Sequence, residues 1–131
     1  MAEDGGATAV IGGRLSVFGS NARLGRGDYL VAEADESDRS FLMLWPSIAV
    51  ITNIDHEHME SYGTLADLQS AFTEFANKVP FYGSVVACAD DPHVVDLLPR
   101  LTRRVVTYGF DEAAGVRGTD VELGAFGGRC T

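Results

Sequence analysis

The sequence lacks the features that define several large classes of protein. It has only two cysteines, Cys88 and Cys130, so it contains no disulfide framework, and a reducing, cytoplasmic setting is the simplest expectation. No apolar run approaches the roughly 20 residues of a membrane span. Positive charge is also scarce, with 10 Lys and Arg against 19 Asp and Glu and a net charge of −9. This balance disfavours a nucleic-acid backbone or an anionic membrane as the main partner.

Three motifs of nucleotide and acyl chemistry are missing too. There is no GxxxxGK[ST] phosphate loop, no GxGxxG fingerprint and no GxSxG elbow. The glycine-rich segment GGRLSVFGS has no lysine, and no strand is predicted in the right place before it. Taken alone, the chain therefore has no complete site for a nucleoside triphosphate.

Short apolar runs dominate what is present. In four of them apolar and polar residues do not alternate, and each run ends in polar residues or a turn. These runs are Tyr29–Ala32, Ser47–Ile51, Ser84–Ala89 and Val105–Thr107. Such runs predict strands of a parallel sheet that are covered on both faces. Nearer the start, Thr8–Ile11 predicts an edge strand, and the glycine-rich stretch after it predicts a loop with turns. A weaker strand is predicted at Val121–Leu123.

Helices are predicted between these strands. Thr64 to Val79 carries an apolar stripe at steps of three and four residues, and Thr64 with Asp67 forms a capping-box pattern. A second helix is predicted to begin at Asp91 with Pro92 in its first position, and to end early at Pro99. Alternating strands and helices predict an α/β fold with a mainly parallel sheet flanked by helices.

Polar clusters follow three of the predicted strands. The first contains Glu33, Asp35, Glu36 and Asp38; the second contains Thr52, Asn53, Asp55, His56, Glu57 and His58; the third contains Asp90 and Asp91. Ligands of open parallel sheets bind beyond the carboxyl ends of the strands, so we expect these clusters to gather at one edge. So many carboxylates repel one another unless a cation lies among them, and oxygen with imidazole suits Mg²⁺ or Mn²⁺. We expect the metal to be held by a carboxylate of the first cluster and a histidine of the second, His58 rather than His56.

Other interpretations of these residues stay open. Each single acid is also explained as a helix cap or a solvated loop residue. The pattern His56-Glu57-His58 occurs in metal-dependent hydrolases, although the chain has no HExxH or CxxC zinc motif. A non-catalytic, cation-holding α/β module is another alternative. In the glycine-rich loop, Asn21, Arg23 and Arg26 are either phosphate contacts or surface residues.

The segments EADESD (Glu33–Asp38) and TNIDHEHME (Thr52–Glu60) carry a resemblance to a known family. Together with GGRLSVFGSNARLGRGDYLVA before them and NKVPFYGSVVACADDP and VVTYGF after them, they resemble the central, ATPase domain of the Mur ligases. The resemblance covers about Val10 to Phe126. The sequence departs from the family at three positions: Glu60 replaces Asp, His56 replaces Pro or Ala, and Arg39 replaces a small residue.

The resemblance implies an ATP-dependent amide ligase of peptidoglycan synthesis. In such an enzyme ATP phosphorylates the lactyl carboxylate of UDP-N-acetylmuramate, and the amine of L-alanine displaces phosphate; a sister enzyme of the family joins a recycled tripeptide instead. By family motif, Glu33 and His58 match the catalytic Mg²⁺ ligands, and Asp35 and Glu36 match positions near the reacting groups. The segment with Asn21 and Arg23 resembles a substrate-side loop. We assign Asn53 and Asp90 to the cofactor, ATP.

The same resemblance predicts that residues 1–131 are a single, partial central domain. The family's phosphate loop is expected upstream of Met1, and its amino-acid-binding domain downstream of Thr131. We therefore expect the chain alone to show no ligase turnover, and to fold marginally or self-associate because part of its sheet is missing.

Overall fold

The fold is that of a computed structural model, which describes residues 6–15, 20–37, 39–55, 61–125 and 127–131. The chain divides into two compact units, Met1–Phe41 and Leu42–Thr131. Among the described residues, no helix is both long and apolar enough to cross a membrane.

The first unit is built on a three-stranded sheet of order β2-β1-β3: β1 (Thr8–Leu15), β2 (Ser20–Arg23) and β3 (Leu30–Ala32). β1 pairs antiparallel with β2 and parallel with β3. The predicted edge strand at Thr8–Ile11 is therefore wrong in length and position, because β1 continues to Leu15 and lies in the centre. β3 pairs with β1 only over Thr8–Val10, so among the described strands the glycine-rich part of β1 runs beside β2 alone. The irregularity that the glycines introduce is a register shift between Val10 and Leu15.

The second unit contains a four-stranded parallel sheet of order β4-β5-β6-β7. Its strands are β4 (Ile48–Ile51), β5 (Ser84–Cys88), β6 (Val105–Gly109) and β7 (Val116–Arg117). A separate antiparallel pair follows, β8 (Glu122–Gly124) and β9 (Gly127–Arg129). The predicted α/β class with a mainly parallel sheet is confirmed.

Among the described residues, two α-helices lie between the parallel strands, and both have the predicted caps. α1 (Leu65–Asn77) begins after Thr64, whose hydroxyl accepts a hydrogen bond from the Asp67 amide at 3.1 Å. α2 (Pro92–Leu97) begins after Asp91, whose carboxylate accepts from the Val94 amide at 2.9 Å. Short 3-10 turns occupy Ser40–Met43 and Leu98–Arg100.

The core of the second unit lies on one face of its sheet. Along β4, Ala49 and Ile51 are buried while Ile48 and Val50 are exposed. α2 contacts β5, and α1 contacts α2. The buried side chains of this layer include Leu68, Phe75, Val79, Val85, Ala87, Val94 and Leu97. The prediction that the strands are covered on both faces is wrong for β4, and also for β3, all of whose residues are exposed. An apolar run indicates that a strand can be buried. It does not show that another element of the chain covers that strand.

Candidate functional site

In the second unit, the residues that follow β4 and β5 lie at one edge of the sheet. The strands are parallel neighbours, and Ile51 is in register with Ala87. The second and third polar clusters therefore begin side by side, as predicted for carboxyl ends of parallel strands. Asn53 is exposed just beyond β4, and its side-chain oxygen accepts a 3.0 Å hydrogen bond from the Thr52 hydroxyl.

Asp90, just beyond β5, is engaged by the backbone of the loop that follows β6. Its carboxylate accepts hydrogen bonds from the Phe110 amide at 2.8 and 2.9 Å and from the Asp111 amide at 2.8 Å. Gly109 approaches so closely that a side chain there would collide with this carboxylate, and its φ of +153° also favours glycine. Asp90 thus joins the ends of β5 and β6. We call this arrangement the Asp90 clamp.

The loop beyond the clamp is fixed by further side chains. The Asp111 carboxylate accepts from the Ala113 amide at 2.8 Å, and the Thr107 hydroxyl accepts from the Gly115 amide at 2.9 Å. Arg117 donates to the Phe110 carbonyl at 3.2 Å. The sequence analysis did not foresee these contacts. The sequence offers one signal for them, which is the pair of aspartates that follows β5. Asp91 caps α2, so Asp90 is left for another role.

Tyr108 lies on β6 beside Cys88 of β5, with which it is in register. Partial burial raises the pKa of the Tyr108 phenol, and the Cys88 thiol and the Asp90 carboxylate raise it further. The phenol therefore stays protonated over a wider pH range than a free tyrosine.

In the first unit, Glu33 follows β3 directly. Its amide donates to the Val10 carbonyl at 2.8 Å, which continues the pairing of β3 with β1 by one residue, and its side chain is exposed. The carboxylate therefore stands at the carboxyl end of a parallel strand pair. The prediction that this strand shares one sheet with β4 and β5 is wrong, because β3 belongs to the separate sheet β2-β1-β3.

The residues after Glu33 form a tight turn. The Asp35 carboxylate accepts from the Ser37 amide at 2.9 Å, and the Glu36 carbonyl accepts from the Arg39 amide at 3.2 Å. Arg39 has a φ of 66°, in the left-handed region that favours glycine. Arg39, which replaces the small residue of the family, therefore lies at a position whose backbone conformation favours glycine. Asp35 is exposed and Glu36 is half-buried.

Asn21 and Arg23 lie on β2, and not in the predicted loop. Arg23 pairs with Ala9 and Ser20 pairs with Leu15, so the Asn21 end of β2 runs beside the part of β1 that extends past β3. This end of the sheet is the one at which Glu33 stands. The side chains of Asn21 and Arg23 lie outside the described part of the structure.

The predicted metal site is only partly described. His58 and His56 lie outside the described residues, so the pairing of Glu33 with His58 stays a prediction. Within the described ranges, no group of three or more His, Cys, Asp or Glu side chains is arranged to hold a metal ion. A single exposed carboxylate nevertheless fits Mg²⁺, which keeps several waters and takes one or two protein carboxylates alongside substrate phosphates.

An open parallel sheet, with polar side chains beyond the carboxyl ends of its strands, defines an α/β domain of the kind that binds ligands at that edge. The pattern of the Mur ligase middle domain matches residues 15–131. The chain therefore belongs to the Mur ligase family.

Curated relatives and solved structures agree with this assignment. The UDP-N-acetylmuramate–L-alanine ligase of Sorangium cellulosum is 64% identical over 102 residues, which is 78% of this chain and 22% of the relative. The enzyme of that name from Thermotoga maritima superposes with a TM-score of 0.61 at 30% identity, covering 79% of this chain and 22% of that one. The chain spans about a quarter of the length of the curated relatives it matches.

A third relative shows the fold alone. The UDP-N-acetylmuramate:L-alanyl-gamma-D-glutamyl-meso-diaminopimelate ligase from Neisseria meningitides superposes with a TM-score of 0.75 at 24% identity. The superposition covers 95% of this chain and 43% of the Neisseria chain. The mainly parallel architecture is therefore the family's fold.

Proposed function

We propose that this chain is the middle-domain segment of an enzyme that joins L-alanine to UDP-N-acetylmuramate with cleavage of ATP to ADP and phosphate. The observation that carries the proposal is the identity of 54–64% to ligases of that name. The family pattern spans the boundary between the two compact units, which supports the proposal that both belong to one domain. A cytoplasmic setting is part of this proposal.

The proposed reaction has two steps. A carboxylate oxygen of the sugar nucleotide attacks the terminal phosphorus of ATP, ADP leaves, and a mixed anhydride forms. The amine of L-alanine then attacks the carbonyl carbon, phosphate leaves with the electron pair of the broken C–O bond, and the amine loses a proton. Phosphorylation is needed because a free carboxylate has no good leaving group.

Bringing a carboxylate to ATP places negative charges together, and the proposed site must offset them. Mg²⁺, when bound, supplies this charge compensation. Glu33 is suited to hold it because its carboxylate is exposed at the carboxyl end of β3, and His58 is the second ligand proposed from the family motif. Asp35 and Glu36 are proposed to orient the reacting groups, and Asn21 and Arg23 to contact the sugar nucleotide.

Asn53 and Asp90 are proposed to lie on the ATP side of the site. For Asn53, the exposed amide beyond β4 is available to a ligand. For Asp90, the hydrogen bonds to Phe110 and Asp111 support an indirect contribution, in which the carboxylate shapes the loop that borders the ligand edge.

A chimera tests the proposal. The matched segment of the Sorangium cellulosum ligase is replaced by this chain, and phosphate release is measured with and without each of ATP, UDP-N-acetylmuramate and L-alanine. We expect release only when all three are present. A folded chimera that binds Mn²⁺ without any turnover would favour a non-catalytic module. The choice between L-alanine and the tripeptide belongs to the amino-acid-binding domain, which the chimera takes from the Sorangium enzyme.

Variants of the chimera test the proposed residues. Glu33→Gln and His58→Ala are expected to lower kcat by at least a hundredfold and to weaken Mn²⁺ binding, because each removes a metal ligand. Glu74→Gln is the matched control, since Glu74 is an exposed acid on α1 that is not among the proposed site residues. Equal Mn²⁺ affinity in the chimera and in His58→Ala would remove His58 from the ligand set.

A further inference from the structure

The loop between β6 and β7 has a defined, hydrogen-bonded conformation although it buries no side chain. It comprises residues 110–115, which we call the β6–β7 loop. The Phe110 ring is 58% exposed, and Asp111, Glu112 and Ala113 are exposed as well. Fixing an exposed backbone costs conformational entropy, and here no burial of apolar surface offsets that cost. The conformation of the loop therefore depends on other interactions.

Side chains of the neighbouring strands hold the loop at both of its ends. At the first end, the Asp90 carboxylate accepts hydrogen bonds from the Phe110 amide at 2.8 and 2.9 Å, and Arg117 donates to the Phe110 carbonyl at 3.2 Å. At the second end, the Thr107 hydroxyl accepts from the Gly115 amide at 2.9 Å. Since Asp90 follows β5 and Thr107 lies on β6, the loop is fastened to two strands.

The β6–β7 loop stands at the edge of the sheet where parallel sheets bind their ligands. It follows the carboxyl end of β6, and the register of Ile51 with Ala87 and of Ala87 with Thr107 brings that end beside the ends of β4 and β5. A loop that is already ordered before a ligand arrives lowers the entropic cost of binding. Its two fastenings thus have a use at this edge that they do not have elsewhere on the surface.

We propose that the β6–β7 loop is a preorganised wall of a nucleotide site, and that Thr107 together with Asp90 positions it. The proposal rests on the proposed function, which supplies two nucleotides, ATP and UDP-N-acetylmuramate. Thr107 and Asp90 act through the loop, so neither has to contact the nucleotide. The exposed carboxylates of Asp111 and Glu112 repel phosphates but accept hydrogen bonds from ribose hydroxyls. The nucleoside part of the ligand is therefore the part that fits beside the loop.

The rest of the parent protein is the other candidate to cover this loop, since the chain spans about a quarter of the length of its curated relatives. The loop has its conformation within this chain, through contacts to β5 and β6, and does not need a further domain to order it. This observation favours a ligand that uses a prepared wall. A contact between domains also persists without nucleotide, which makes the two candidates separable by experiment.

The test uses the complete chimeric ligase described above, with Asp90→Ala, Thr107→Val and the double variant. Calorimetry gives the dissociation constants of ATP and of UDP-N-acetylmuramate, each titrated alone, and phosphate release gives kcat. Each single substitution should weaken one nucleotide by about fivefold, because the ligand must then order the loop itself. The nucleotide that weakens identifies which of the two lies beside the loop, and kcat at saturation should change little. The double variant should lose less than the product of the single effects, since both residues restrain one loop.

A matched control separates positioning from a general loss of stability. Asn77 accepts a hydrogen bond from the Thr102 amide at 2.9 Å and so fastens the segment before β6, at the amino end of the strand. Asn77→Ala should lower resistance to urea much as Asp90→Ala does, yet leave both dissociation constants unchanged. Amide hydrogen exchange adds a second measurement. In the Asp90→Ala chimera the Phe110 and Asp111 amides should lose protection, and saturation with the identified nucleotide should restore it.

Three results would overturn the proposal. The first is dissociation constants for both nucleotides that neither single substitution changes, and the second is an equal weakening by Asn77→Ala. The third is protection of the Phe110 and Asp111 amides in the Asp90→Ala chimera without any nucleotide, which would assign the loop to a contact with the rest of the ligase. A chimera that binds nucleotides without turnover contradicts the proposed function alone, because the dissociation constants still decide the role of the loop. One that binds neither nucleotide contradicts both.

Discussion

Replacing Asp90 with alanine tests whether one carboxylate fixes the loop after β6. Asp90 accepts hydrogen bonds from the Phe110 amide at 2.8 and 2.9 Å and from the Asp111 amide at 2.8 Å. Because these donors lie on a different strand end, the carboxylate closes the loop against β5. Asp90→Ala removes every one of these acceptors and returns both amides to water.

The magnitude follows from the charge and exposure of the group. A hydrogen bond to a charged partner contributes about 1.5–3 kcal/mol in net terms when it is buried. Asp90 is exposed, so water replaces much of what the mutation removes, and the expected loss in the free energy of unfolding is about 1–2 kcal/mol. Asp90→Asn should lose less, because the amide keeps one oxygen acceptor.

Urea unfolding measures the loss, and amide hydrogen exchange locates it. Asp90→Ala should abolish protection at the Phe110 and Asp111 amides. Asp91→Ala is the matched control: it removes the helix cap on the Val94 amide and costs about 1 kcal/mol, yet it leaves the two loop amides protected. An Asp90→Ala protein with unchanged exchange at Phe110 and Asp111, and with stability within about 0.3 kcal/mol of the original, would refute the clamp.

Three further predictions concern the backbone and one titrating group. Gly109→Ala should destabilise the protein by about 1–3 kcal/mol, because the new side chain meets the clamp carboxylate at a positive φ, whereas Gly127→Ala enters open space; equal losses in urea unfolding would contradict this. Arg39→Gly should raise the unfolding free energy by up to about 1 kcal/mol, since it relieves a φ of 66° at the cost of a more flexible unfolded chain; a loss would show that the arginine side chain outweighs the strain. Because burial raises the pKa of Tyr108 above 10.0, stability should hold below pH 10 and fall as the pH rises through the folded-state value. Tyr108→Phe should remove part of that fall, and identical pH profiles would exclude this origin.

The helices of this chain were predictable because their signals are local. Thr64 and Asp91 each supply an oxygen to an amide three residues later, and Pro92 fits the first helical position because its missing N–H has no partner there. These effects depend on neighbours within one turn. The parallel strands were predictable for a related reason, since each is a short apolar run between turn residues.

The first unit was less predictable because its strands depend on distant partners. Gly12 and Gly13 weaken any strand taken alone, yet β1 continues through them beside β2, whereas β3 pairs only with Thr8–Val10. The open face of β4 was unpredictable for the converse reason. Ile48 and Val50 have the residue types of buried positions, but a run of such residues does not reveal whether the chain contains anything to cover them.

The candidate site shows the same division. Which residues follow the strands was evident from the sequence, and the register of Ile51 with Ala87 places Asn53 and Asp90 at a common edge. What each carboxylate does was not evident, because an aspartate after a strand binds a ligand, caps a helix or holds a loop with the same short side chain. Asp90 and Asp91 are adjacent and do two different structural tasks.

The distribution of charge in the second unit adds a detail that the net charge of the whole sequence does not show. A net charge of −9 disfavours anionic partners only if the charge is spread evenly. In the second unit, acids such as Asp90 and Asp91 follow the carboxyl ends of the strands, while Lys78, Arg100, Arg103 and Arg104 collect at the amino ends. Because parallel strands all point the same way, the sheet turns this sequence pattern into two ends of opposite charge. Attraction at close range depends on the facing end, since a surface charge farther away than a Debye length of about 8–10 Å is screened. An acidic protein built this way therefore has one end of its sheet that is locally positive.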